Sequence, residues 1–256
     1  MREKLGHLFR DERGNIALFV LGMLGIMMVL FILVMNLGSV LATKERSGTT
    51  TSQASLAATS TLYEEVRTII TNYSYPEPTP PTPPDSEADE SAWDAYEEAK
   101  EEYEKKLEVY EFFFYFDDSL ESKKSGMTGI WYNNWSDNEL ELEALDKVIH
   151  EALDSGGELL QEKLEELLYG NGAIQNAAIE MAIDTIYQNG GVIEGAELDI
   201  EDNRIVIKAA NEVTSTSYDE IMVDITENVY QESAGPVVDF LNLIWTKPTP
   251  VNLEYE

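Results

Sequence analysis

Carboxylates are the residues of this 256-residue chain whose number and spacing could do chemistry. The chain has 49 Asp+Glu against 17 Lys+Arg, two histidines (His7 and His150) and no cysteine. Paired acids perform general acid–base work only when one has a raised pKa beside one that stays ionised. No pair separates itself by pattern from the many that solvent should cover. Asp199, Glu201 and Asp202 offer oxygen ligands for weak calcium binding, but the Asp-x-Asp-x-Asp-Gly loop is missing. Zinc spacing, a phosphate loop and a nucleophile elbow are also missing. His150 falls on a helical pattern and reads as a solvated or capping residue. The sequence therefore predicts no enzyme, no cofactor and no metal site. Its net charge of −32 opposes nucleic-acid binding, which is built on released phosphate counterions.

The elements that must carry these residues begin with an uncharged stretch, Ile16 to Leu41, whose overtly polar members are Asn36 and Ser39. About 20 apolar residues span a bilayer as a helix, and this stretch lacks the polar face of a soluble helix. Arg2, Lys4, Arg10 and Arg13 precede it; Lys44 and Arg46 follow. The larger cationic group belongs inside, so the reading is a single-pass protein with its N-terminus cytoplasmic. Residues 1–46 hold six of the 17 cations but only four of the 49 acids, which leaves the acidity on the exported side. Val40-Leu41-Ala42 would suit signal peptidase, but signal peptides have shorter apolar cores, so retention is expected.

Within the membrane, Gly22 and Gly25 lie near one face, and Gly38 and Ala42 form a small-xxx-small pair. Such residues permit close helix approach, and Asn36 can hydrogen-bond a neighbouring helix. These five are candidate contacts with a lateral helix partner. Glycine is also simply common in membrane helices.

Beyond the bilayer, Ala54, Ala58, Leu62, Val66, Ile69 and Tyr73 recur at helical spacing and predict a stalk helix over 42–73. Ser47-Gly48-Thr49-Thr50-Thr51 is a weak helical stretch expected to kink or fray. Residues 74–84 hold six prolines and predict polyproline II, a semi-rigid spacer within a linker over 74–89. A Pro-x-x-Pro ligand is the sharper alternative. Next, Trp93, Tyr96, Lys100, Tyr103, Leu107, Tyr110 and Phe114 alternate steps of three and four along a helix over about 90–116. This seam is expected to pack on the stalk as a helical hairpin. In the following loop, Trp131, Tyr132 and Trp135 are candidate surface contacts to protein or carbohydrate, although aromatic residues more often plug a core.

Residues 138–256 read as an α+β unit. Leu142, Leu145, Ile149 and Ala152 mark one helix, Leu160, Leu164 and Leu167 a second, and Ile174, Ala178, Met181, Ala182 and Ile186 a third. Glu197–Glu201 and Arg204–Lys208 flank Asp202-Asn203, residue types that tolerate the positive φ of a two-residue hairpin. That register sets Glu201 against Arg204, Glu197 against Lys208, Ile200 against Ile205 and Leu198 against Ile207. Ile221, Val223 and Ile225 alternate as a third strand, and a short helix is expected near Val237–Ile244.

Arg10-Asp11-Glu12-Arg13-Gly14-Asn15-Ile16-Ala17, Asn36-Leu37-Gly38 and Gln53-Ala54-Ser55-Leu56-Ala57-Ala58 together resemble the TadE/TadG-like proteins of tight-adherence (Flp-type) pilus assembly. The resemblance covers roughly residues 8–62. Prepilin processing after Gly14 would place Phe19 where Glu is usual, so the chain reads as unprocessed. Asp117-Asp118-Ser119-Leu120-Glu121-Ser122 has the residue types, without the spacing, of the metal-binding Asp-x-Ser-x-Ser motif of larger relatives.

The resulting expectation is an α+β, mainly α protein. It comprises a cytoplasmic segment (1–15), a transmembrane helix (16–41), a pilin-like stalk (42–73), a linker (74–89), an acidic aromatic helix and loop (90–137) and an extracytoplasmic α+β domain with an antiparallel hairpin (138–256). The resemblance implies a non-enzymatic, membrane-anchored pilus-assembly component whose partners are the bilayer and other assembly proteins. A stand-alone extracellular binding module or glycan hydrolase is the alternative.

Overall fold

The structure, a computed structural model, describes residues 12–87, 89–214 and 226–255. Its spine is one helix, α1 (Glu12–Asn72), of 61 residues, about 90 Å long at 1.5 Å per residue. Among the described residues it is the one helix long and apolar enough to cross a membrane, and its most apolar window is wholly unburied. Phe19, Met27, Phe31 and Val34 are each more than 60% exposed. Water would penalise such a surface heavily, at about 25 cal/mol per Å²; a bilayer would not.

The outer half of α1 is the core of the folded part. Ala54, Ala58, Leu62 and Val66 are fully buried, as their spacing predicts, and Ile69 and Tyr73 pack at the margin. The Ser47–Thr51 stretch neither kinks nor frays. Ser47 Oγ donates to the Thr43 carbonyl at 2.9 Å, Thr49 Oγ1 to Glu45 at 3.0 Å and Thr51 Oγ1 to Ser47 at 3.1 Å. Ser47, Thr50 and Thr51 are buried against a sheet; tertiary packing overrides weak propensity there.

That sheet is four-stranded and antiparallel, with order β3-β2-β1-β4. It comprises β1 (Gly191–Glu201), β2 (Arg204–Thr214), β3 (Thr226–Ala234) and β4 (Val251–Asn252). Asp202 and Asn203 take φ of 48° and 57°, the conformation of a type I′ turn. All four predicted cross-strand pairs are present, and Lys208 Nζ lies 2.8 Å from Glu197 Oε2. The third strand is β3; Ile221, Val223 and Ile225 lie outside the described residues. β2 and β3 lie against α1, and strand and spine axes run alongside one another: Asn211 meets Ser47 while Gly235 meets Thr59.

Five more helices complete the α+β, mainly α fold: α2 (Glu90–Phe114), α3 (Phe116–Gly126), α4 (Asp137–Ser155), α5 (Glu158–Leu168) and α6 (Gly172–Gln188). A one-turn helix, Leu241–Ile244, occupies the expected place near the C-terminus. α6 lies along α1. Both helices carry fully buried alanines, Ala54 and Ala58 on α1 and Ala178 and Ala182 on α6.

The acidic helix departs from expectation twice. It breaks at Tyr115 (φ −102°, ψ 20°), which lets Phe113 and Phe116 both turn inward. Its Trp93–Phe114 seam also does not bury against the stalk: no seam residue is buried, and the inward side is Val109 and Phe113. Instead, the proline segment runs back beside the helix. Tyr75, Pro76 and Pro78 face Ala99, Tyr103 and Lys106 across a cleft of about 460 Å³. Tyr103 is the seam residue that lines this cleft, and the helix and the proline-rich stretch together form an arm.

Candidate assembly interface

The membrane section offers two distinct faces. At 100° per residue, Gly22, Gly25 and Asn36 cluster on one side, and Gly38 and Ala42 on the opposite side. A Cβ built on Gly22, Gly25 or Gly38 would meet nothing within 4 Å, so neither face is filled by the chain itself. The first side continues into Ser47 and Thr50, which Asn211 of β2 meets, and into buried Ala54. The second continues into Thr49, Gln53 and Leu56, which are exposed. The five candidate residues therefore do not form one site. The Gly38–Leu56 side is a continuous open helix face crossing the membrane boundary.

A polar latch fixes that face relative to the folded part. Asn211, 1% exposed, accepts from Thr50 Oγ1 at 2.9 Å and donates through Nδ2 to the Gly190 carbonyl at 2.8 Å. Its backbone N–H donates to Ser47 Oγ at 3.0 Å. Thr51 and Ser233 hydroxyls lie 2.9 Å apart, and Arg46 Nη2 donates to the Asn189 carbonyl at 3.1 Å. None of these partners was visible in the sequence. The one available signal was a cluster of hydroxyl residues on an otherwise apolar helical stripe.

The loop aromatics divide: Trp131 is exposed, whereas Tyr132 is partly buried against the core. Ile130 and Trp131 are 88% and 87% exposed. Tyr132 and Trp135 meet edge-to-face at 5.3 Å, and Lys147 Nζ donates to the Tyr132 hydroxyl at 2.9 Å. The pair Tyr132–Trp135 braces the turn, and Ile130–Trp131 projects from it.

The nearest approach to acid–base chemistry is a pair that sequence reasoning missed. Asp146 Oδ1 accepts from the Tyr63 hydroxyl at 3.0 Å and from the Asp239 N–H at 3.0 Å. Burial pushes the Asp146 carboxyl up to about 6 against the opposing pull of those donors, and burial also raises the Tyr63 phenol. The adjacent cleft, about 300 Å³, is lined by Tyr63, Arg67, Leu120, Glu141 and Leu145 and contains no histidine. Arg67 there is bound by Glu141 and by Asp117. This arrangement ties α1, α3, α4 and the C-terminal segment together. Asp199 caps its own neighbour, accepting from Ile200 N–H at 2.7 Å, and no metal-holding acidic group forms among the described residues. His150 is exposed.

Residues 14–61 match the family model described as putative Flp pilus-assembly TadE/G-like. The TadE/G-like segment thus runs from the membrane helix through the latch and onto Ala54 and Ala58. It covers most of the spine and stops before the arm. No curated protein and no solved structure matches the chain.

Proposed function

We propose that the protein is a membrane-anchored, non-enzymatic component of a tight-adherence pilus or a related surface-assembly system, with its N-terminus cytoplasmic and its bulk outside. The observation that carries this reading is the coincidence of the TadE/G-like segment with a helix that is bare in the membrane and latched to a sheet outside it. The Gly38–Leu56 face is the packing surface for a neighbouring helix. Its small residues allow the close approach that drives association in lipid. The charge distribution supports the orientation.

Deleting the chain should abolish pilus assembly and adhesion, and the tagged protein should co-purify with other assembly components. Intact piliation in the deletion strain contradicts the reading. A second reading, a stand-alone glycan-binding module or hydrolase, has one observation in its favour, the projecting Trp131. It requires glycan binding that disappears in Trp131→Ala.

A further inference from the structure

Where α1 ends, the last turn of α2 meets it, and between them lies a recess of about 260 Å³ with aromatic walls: Tyr73, Tyr75, Tyr110, Phe113 and Phe114. Phe113 anchors it, 6% exposed and 4.6 Å from Tyr73. Tyr110 and Phe114 are stacked, with centroids 5.2 Å apart and planes 23° from parallel, and Phe114 is 63% exposed. An aromatic stack is thus held at the surface rather than buried. The recess lies about 40 Å along the spine from Ser47, at the opposite end of the folded part from Thr214 and Thr226.

The rest of the lining is neutral: Thr71, Asn72 and Ser74. Among the described residues, these three side chains and the hydroxyls of Tyr73, Tyr75 and Tyr110 make no hydrogen bond to the protein. The clefts beside Tyr63, Tyr103, Lys44 and Tyr230 each contain a carboxylate, whereas this lining has none. Glu77, which acts on Tyr110, lines the neighbouring cleft, and Lys163, which acts on Tyr73, is paired with Glu166. A cation would find no acid in the lining, and an anion is repelled by a chain of net charge −32. A wholly apolar ligand would strip water from six polar groups without replacing it. A neutral sugar meets both requirements. Its ring C–H groups seat on aromatic faces, which are electron-rich, and its hydroxyls pair with amide and hydroxyl groups. We propose that this recess binds a neutral carbohydrate, with the Tyr110–Phe114 stack as its platform and Thr71, Asn72 and Ser74 as partners for its hydroxyls.

A proline-rich polypeptide is a poorer occupant. Prolines also dock in aromatic grooves, but as an extended chain. The protein's own segment leaves Tyr75 along α2, with Pro76 and Pro78 beside Ala99 and Tyr103, and so closes the recess on that side. A sugar ring at the end of a glycan needs no such run. Trp131 belongs to a separate surface, since the recess shares no lining residue with its loop. The inference takes from the assembly reading only its setting, outside the membrane.

The test uses the full-length chain in a zwitterionic detergent, because sugar-headed detergents would compete. It is applied to an array of neutral hexose and N-acetylhexosamine oligosaccharides, with sialylated and sulfated ones alongside. The result expected is saturable binding to at least one neutral glycan that added salt does not weaken, as an uncharged contact requires. Phe114→Ala should lower the affinity about tenfold, on the order of one aromatic contact, and Asn72→Ala roughly fivefold. Both side chains are exposed, so the thermal unfolding of these variants should match the parent's. Trp131→Ala should leave binding unchanged. Absence of neutral-glycan binding, binding confined to the charged glycans, or binding that survives Phe114→Ala or is lost in Trp131→Ala overturns the proposal. So does capture of a deca-proline peptide that neutral glycans fail to displace. Intact piliation in the deletion strain would remove the assembly reading and leave this one standing.

Discussion

Asp146 is an acid set inside the apolar stripe Leu142, Leu145, Ile149, and its burial makes the fold sensitive to pH. Its folded-state pKa, about 6, stands above the ordinary 3.8. The native state therefore holds the proton more tightly than the unfolded chain, and stability falls as pH rises from about 4 to 6, then levels. The nearby Asp239 carboxylate adds to the cost of charging Asp146. Asp146→Asn keeps an oxygen for Tyr63 and the Asp239 N–H, so it should remove this slope and raise stability at pH 8 by about 2 kcal/mol. Thermal unfolding of the detergent-solubilised chain at pH 4.5 and 7.5 checks it; an unchanged slope would refute the assignment. Asn211→Leu should have the opposite effect, destabilising by about 2–4 kcal/mol because buried Ser47, Thr50 and the Gly190 carbonyl lose partners. Neither residue was legible as a site in the sequence. An acid or amide on an apolar stripe signals a buried polar partner without saying where in the chain it lies.

Elements were legible wherever two independent patterns agreed. The β1–β2 hairpin combined alternating apolar residues, complementary charges and a turn dipeptide, and its register follows. The stalk stripe combined spacing with a helix-compatible sequence. The arm was not legible, because a three-four spacing of aromatics marks a helix face without naming what covers it. Here a proline-rich segment runs beside Tyr103, the seam residue that lines the cleft between them. Ser47–Thr51 misled for a related reason: propensity describes an isolated helix, whereas burial and back-bonded hydroxyls decide this one. If the arm is held by proline–tyrosine packing, Tyr103→Ala should increase amide exchange across 90–104 by roughly tenfold, reflecting about 1–2 kcal/mol of lost aromatic burial. Exchange of α6 should stay unchanged. Equal protection in the variant would show that the proline segment does not brace the helix.

For the whole molecule, the division between a bare membrane half and a sheet-packed outer half gives the spine two jobs on one axis. The latch fixes which helix face turns outward, so rotation of the ectodomain and presentation of the membrane helix are coupled. The acidic bulk of a chain with net charge −32 keeps copies apart through long-range repulsion that salt screens. On the proposed function, assembly contacts come from short-range packing along the Gly38–Leu56 face, whose one acid is Glu45. Gly38→Leu, placed where a Cβ meets nothing within the chain, should leave folding intact and impair assembly. Gly22→Leu, on the other side, should be the milder change if the Gly38–Leu56 face is the one used.

The most direct measurement is a single-cysteine scan over residues 36–58 in native membranes, using oxidative cross-linking to neighbouring assembly components. The cysteine-free chain provides a clean background. The account predicts helical periodicity, with cross-links maximal at Gly38, Ala42, Thr49, Gln53 and Leu56 and minimal at Ser47, Thr50 and Ala54. A flat profile, or maxima on the sheet-facing side, would contradict it.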